Sequence, residues 1–132
     1  MIGELPKDVL EILLENMPLE ISVLDKNDKV LGWNKHETRI FKRPKSVVGK
    51  DVRNCHPKKS LHKVEQILED FKNGKRDKAR FWIDMTIKDS KRKILIEYYA
   101  LRDENSEYMG CLEASQDITE ARALSGEKRL LD

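Results

Sequence analysis

Apolar residues recur at Val9, Leu10, Leu13, Leu14 and Met17, the three-and-four spacing of one helix face, and this stripe predicts a helix over residues 6–17. Pro6 suits the first turn, where a missing N–H costs nothing, and Asp8 suits the positive end of the helix dipole. Pro18 stops the helix, because the residue before a proline is pushed out of the helical region. From Glu20 the period falls to two. Ile21 and Val23 share a face, the turn-forming run Asp25-Lys26-Asn27-Asp28 follows, and Val30 to Trp33 resumes extended structure, so a hairpin is expected. Residues 34–75 then read mainly as helix. A short stretch around residues 36–41 breaks before Pro44, and residues 51–56 form short helix or loop. The clearest helix opens at Pro57, with Leu61, Val64, Leu68 and Phe71 on one face and Gly74 as its stop.

The final third reads as strand over residues 80–87, 93–101 and 108–118, separated by Lys88-Asp89-Ser90-Lys91 and Asp103-Glu104-Asn105-Ser106. After Thr119, the expected N-cap, a charged helical pattern carries Leu124, Leu130 and Leu131 to the end, with Gly126 as a weak point. Two hairpin-linked groups of strands flanking a helical insert imply an antiparallel sheet with its helices gathered on one face, hence the α+β class. The chain divides into an N-terminal helix (1–18), a core (19–119) and a C-terminal helical linker (120–132).

At 132 residues one compact core is the default. Charged residues make up 38% of the chain against about 25% in an average soluble protein, so the surface is polar while the apolar stripes still suffice for a core. The 26 Lys+Arg against 24 Asp+Glu leave a net +2, which supplies no field to draw the molecule onto nucleic acid or an anionic membrane. Lys42, Arg43 and Lys45, Lys58, Lys59 and Lys63, and Lys91-Arg92-Lys93 form basic stretches. Glu65, Glu69, Asp70, Asp77 and Asp89 interleave with them, giving a mixed solvated surface. The aliphatic run Ile12-Leu13-Leu14 is far short of a membrane span, and Glu4, Lys7 and Asp8 interrupt any signal-peptide core, so a cytoplasmic location is expected. Cys55 and Cys111 fit no Cys-x-x-Cys spacing and read as free thiols. Isolated glycines and the lack of a nucleophile–base set give no support for an enzyme.

Ile21-Ser22-Val23-Leu24-Asp25 with Lys29-Val30-Leu31-Gly32-Trp33-Asn34, then Val48-Gly49-Lys50-Asp51, His56-Pro57, and Gly110 before Asp117-Ile118-Thr119, together resemble a PAS domain over about residues 5–119. The resemblance implies a PAS fold, with a five-stranded antiparallel sheet in the order 2-1-5-4-3, a helical insert walling a small internal cavity, and flanking N- and C-terminal helices. His56-Pro57-Lys58-Lys59-Ser60, Phe81-Trp82-Ile83 and the terminal Gly126-Glu127-Lys128-Arg129-Leu130-Leu131-Asp132 are similar to the PAS module that ends a group of bacterial and archaeal proteins carrying a hemerythrin-like region. That likeness implies adjoining domains in a longer protein.

His56 is the candidate cofactor and metal ligand. An imidazole before a helix-opening proline either ligates haem or makes local hydrogen bonds. Phe81, Ile83, Met85 and Ile87 alternate onto the face toward the insert, so Met85 is the candidate second ligand. His56 and Met85 resemble the pairing in haem-binding PAS domains of carbon-monoxide-responsive regulators, which would make the cofactor haem b. His62 lies on the polar face with Glu65, Gln66 and Glu69 and reads as solvated. Asn54-Cys55 resembles the photoactive cysteine motif of flavin-binding LOV domains but lacks the arginine and glutamine that hold the flavin. The expected function is a sensory module that binds a small ligand and relays its occupancy. The alternative is a ligand-free module for dimerisation or protein–protein interaction, in which Phe81, Ile83 and Met85 close the core; the helix over residues 6–17 is separately expected to mediate a homodimer or to dock on the sheet's outer face, where the outward Trp82 offers a partner surface.

Overall fold

The computed structural model describes residues 2–131. Strands β1 (Glu20–Asp25), β2 (Val30–Trp33), β3 (Lys78–Ile87), β4 (Ser90–Arg102) and β5 (Tyr108–Asp117) form one antiparallel sheet in the order β2-β1-β5-β4-β3. Local chemistry closes each hairpin. Asp25 Oδ1 accepts from the N–H groups of Asn27 and Lys29, and Asp103 Oδ1 accepts from those of Asn105 and Glu107. Between β3 and β4, Lys88 and Asp89 both take positive φ (50° and 63°), the two-residue turn whose twist matches the flanking strands. The central strand β5 meets β1 at Gly110, where an added Cβ would fall 2.2 Å from the Leu24 carbonyl oxygen, so only glycine fits.

The insert covers one face of the sheet. It comprises the 3₁₀ turns Lys45–Val47 and Val52–Cys55 and helix α2 (Lys58–Lys72). α2 buries Val64, Leu68 and Phe71 against Leu24, Val30, Val52, Ile94, Ile96, Tyr98 and Cys111. Burying Leu68 or Phe71 stabilises the fold by about 1.5–3 kcal/mol each. Gly74, at φ 72°, ends the helix with its N–H on the Phe71 carbonyl. The insert is fastened at its far side by Asp28, whose Oδ2 accepts from Lys72 (2.7 Å) and Arg53 (3.2 Å) and whose carbonyl accepts from the Val52 N–H.

Helix α1 (Lys7–Asn16) forms where the stripe predicts it, yet none of its residues is buried. It is tied to the sheet through polar contacts at its end. Asn34 Nδ2 donates to the Leu14 carbonyl (2.6 Å) and the Lys35 N–H to Glu15 (2.9 Å). Leu14 and Glu15 line a cleft of about 500 Å³ over the outer face of β1 and β2, with Ile21, Val23 and Leu31. Val9, Leu10 and Leu13 stay exposed, as does Trp82 (62%) on the outer face of β3.

Two expected helices do not form. Around residues 36–41 the chain turns and bends instead, because Glu20 takes the N–H groups of Ile40 and Phe41 and the Arg39 guanidinium takes the carbonyls of Asn34 and Phe41. Beyond β5 there is a single 3₁₀ turn, Ala121–Ala123, where a C-terminal helix was expected over residues 120–132; Asp132 lies outside the described residues. Leu124 and Leu130 are almost fully exposed and Gly126 takes φ 62°, so a short segment with nothing to pack against has no tertiary support for a helix.

Candidate functional site

The register of the sheet places Ser22, Glu113, Tyr98 and Ala79 in one row across β1, β5, β4 and β3, all on the face beneath the insert. Glu113 is thus a carboxylate in the middle of the core, with its side chain 7% exposed. Arg43, in the loop after β2, reaches down to it and donates Nη2–H to Glu113 Oε2 at 2.8 Å. His56 caps the 3₁₀ turn Val52–Cys55 in the extended conformation that Pro57 demands, and its Nε2 lies 3.8 Å from Glu113 Oε1. The Arg43 and His56 side chains are 11% and 15% exposed.

Four atoms of this cluster are buried without a hydrogen-bond partner among the described residues: Arg43 Nε and Nη1, His56 Nε2 and Glu113 Oε1. Each unpaired buried polar atom costs about 1–3 kcal/mol, so such atoms are rare and rarely adjacent. The field of Glu113 is felt nearby. Burial, reinforced by Glu113, pushes the Tyr98 phenol and the Cys111 thiol well above their usual ranges, which leaves both protonated.

Beside this cluster lies a second buried ion pair. Arg39 meets Glu20 at 3.2 Å and donates to the carbonyls of Ile21, Asn34 and Phe41 and to Ser22 Oγ. A third arginine closes the C-terminal end of the sheet. Arg92 donates to Asp117 and Glu120, Asp117 Oδ1 accepts from the N–H and hydroxyl of Thr119, and Thr119 Oγ1 accepts from the Lys93 N–H at 2.8 Å. Thr119 therefore ties two strands together and does not cap a helix. Burial would raise Asp117, but hydrogen bonds from Arg92 and Thr119 outweigh it and hold the carboxyl below the usual carboxylate range.

The structure does not bring His56 and Met85 together. Met85 is on the insert side of β3, as its parity predicts, but six residues beyond Ala79, about 20 Å along the strand from the row that contains Glu113. His56 is held at that row, so the two side chains cannot share one iron, and the residues do not fit a haem ligated by this pair. No three His, Cys, Asp or Glu side chains among the described residues are grouped to hold a metal. His62 is exposed, Cys55 half-buried and Cys111 buried, and both cysteines are free. The sequence pattern does not mark Arg39, Arg43 or Glu113 as site residues. The available signal was the parity of β5, where Cys111, Glu113 and Ser115 share a face and put an acid at an inward position.

An antiparallel 2-1-5-4-3 sheet, covered on one face by short turns and one long helix, with ionisable groups between the two layers, defines a small α+β module. The sequence matches the PAS domain family over residues 10–119, and the chain belongs to that family, whose members are sensory and signalling modules. It is similar to a C-terminal domain from Streptococcus mutans, with 33% identity over 95% of this chain and 94% of that one and a TM-score of 0.84. The PAS domain of BvgS from Bordetella pertussis shares the fold, with 20% identity over 87% of this chain and 88% of that one and a TM-score of 0.63. The VqmA dimer from Vibrio cholerae shares it too, with 15% identity over 94% of this chain but 56% of that one and a TM-score of 0.64. None of the curated proteins is similar enough in sequence to count as a relative. Among the described residues no helix is long and apolar enough to cross a membrane.

Proposed function

We propose that this chain is a non-enzymatic PAS sensory module whose input is a small molecule received between sheet and insert at the Arg43–Glu113–His56 cluster. The observation that carries the reading is the gathering of four unpaired buried polar atoms at one place, where a bound molecule would satisfy what the protein leaves open. Glu113 sits on β5 four residues before Asp117, so a change at the cluster has a direct path along one strand to the Arg92–Asp117–Thr119 junction. A ligand acts there through its different affinity for two arrangements of insert and sheet. The Streptococcus mutans relative is the C-terminal domain of its protein, and in the same way this module would report to adjoining domains of a longer, cytoplasmic chain.

The test is native mass spectrometry of the protein purified from cells. A co-purifying small molecule that is lost in Glu113→Gln supports the reading. The bare chain mass throughout, in wild type and variant, counts against it. Added hemin that gives a Soret band abolished by His56→Ala would make haem the input instead. A second reading, a dimerisation module without ligand, draws on the unburied apolar stripe of α1 and the exposed Trp82. Sedimentation of the chain beside a variant lacking residues 2–17 decides it: a dimer that becomes monomeric supports that role, and an unchanged mass removes it.

A further inference from the structure

We infer that the Arg43–Glu113–His56 cluster recognises a compact, uncharged molecule presenting a hydrogen-bond donor and an acceptor side by side, the pattern of a carboxamide or lactam. The inference rests on the reading that this cluster takes the input and adds the chemistry of what it takes. Charge decides first. Arg43 and Glu113 already compensate one another, as do Arg39 and Glu20 beside them, so a net-charged ligand would enter the core as an unpaired charge. Hydrogen-bond capacity decides next. Glu113 Oε1 can only accept, Arg43 Nε and Nη1 can only donate, and His56 Nε2 does either according to its tautomer.

A carboxylate would offer no donor to Glu113 and would set a second negative charge against it. An ammonium would offer no acceptor to Arg43. A hydrocarbon would leave all four atoms unpaired. An amide edge meets both demands at once, with its carbonyl toward Arg43 and its N–H toward Glu113. The open capacity is not a general property of buried arginines in this core, since Arg39 spends its donors on three carbonyls, a hydroxyl and a carboxylate. The four atoms are sealed from solvent, so the molecule enters only as the segment 43–56 lifts from the sheet. Three backbone hydrogen bonds hold that segment down: Gly49 N–H to the Val30 carbonyl (2.7 Å), Val30 N–H to the Lys50 carbonyl (2.9 Å) and Val52 N–H to the Asp28 carbonyl (2.8 Å).

The full chain is titrated with four probes of one shape, benzamide, benzoate, benzylamine and toluene, while the His56 imidazole and Arg43 guanidinium ¹⁵N resonances are followed. Benzamide alone should shift both sets and raise the melting temperature, with about tenfold weaker binding in Glu113→Gln, where a charge-assisted bond becomes a neutral one. His56→Phe removes one partner without touching the ion pair and should also weaken binding, so the test survives if Glu113→Gln does not fold. Benzoate or benzylamine shifting the resonances in place of benzamide overturns the uncharged class and leaves the site as the input. Toluene matching benzamide overturns polar recognition. Resonances unmoved by all four probes overturn both this inference and the reading it rests on.

Discussion

Arg39 and Arg43 lie four residues apart in one loop, and both reach into the same core to meet a carboxylate on the sheet, Glu20 for one and Glu113 for the other. Their surroundings differ. Arg39 finds carbonyls within reach because the chain wraps around it: Asn34 and Phe41 flank it in sequence and Ile21 lies on the adjoining strand. Glu20 is equally saturated, since it also accepts from two backbone N–H groups. Arg43 precedes Pro44 in extended chain that leads away from the sheet, and only one of its nitrogens finds a partner. The first pair shapes the loop. The second leaves hydrogen-bonding capacity unused, and unused capacity in a buried site is where recognition can act. Burial lowers the Arg39 pKa while Glu20 raises it, and the guanidinium remains charged.

The largest expected effect is on the saturated pair. Arg39→Met strands Glu20 in the core and frees three carbonyls, and should cost about 3–5 kcal/mol, read from the urea midpoint at unchanged slope. A loss under about 1 kcal/mol would erase the distinction between the two arginines. The next effect sharpens it. Replacing Arg43 and Glu113 together by Met and Leu removes an imperfect buried pair with its unpaired atoms, and should leave stability unchanged or raise it by about 1–4 kcal/mol. If that double variant is as unstable as Arg39→Met, the Arg43 pair is structural and the site loses its argument.

The sequence reveals the fold and hides both arginine pairs for a physical reason. The sheet order and β-hairpins are written locally: Asp25 and Asp103 close turns by their own side chains, and alternation along β3 puts Phe81 and Met85 on the insert side before any contact is known. Helix α2 is equally plain, from Val64, Leu68, Phe71 and the glycine stop. Site pairing is not local. Glu113 and Arg43 are 70 positions apart, and nothing in either segment names the other. The His56–Met85 pairing failed for a related reason: parity fixes the face of a strand residue but not its distance along the strand. The terminal helix failed because its pattern was right but its length and exposure gave it nothing to pack on.

Arg92 differs from both Arg39 and Arg43 as an arginine held by two carboxylates near the surface. Its network can be probed without touching the core. Thr119→Ala should cost about 1 kcal/mol, since Lys93 N–H loses its acceptor, and should raise amide exchange at Lys93. Arg122 N–H, bonded to the Ile118 carbonyl, should keep its protection; loss at Arg122 in place of Lys93 would restore a capping role.

The smallest effect is the response of this junction to acid. The folded-state pKa of Asp117 lies below its unfolded value, so its contribution is fully present above about pH 4, the unfolded carboxylate range, and is lost as pH falls through the depressed folded value. Glu120, held down chiefly by its hydrogen bond from Arg92, responds in the same direction. The Arg92–Asp117 pair is partly exposed and Glu120 largely so, so the stability at stake is small and is screened further by salt. The change should nonetheless be visible locally. The Arg92 Nε–H resonance and the Lys93 amide should lose protection together on acidification, while Arg39, buried beside Glu20, keeps its hydrogen bonds to backbone carbonyls until global unfolding. Were Arg39 to open first, the order of the three arginines would be reversed, and saturation inside the core would cease to be what separates the structural pair from the site.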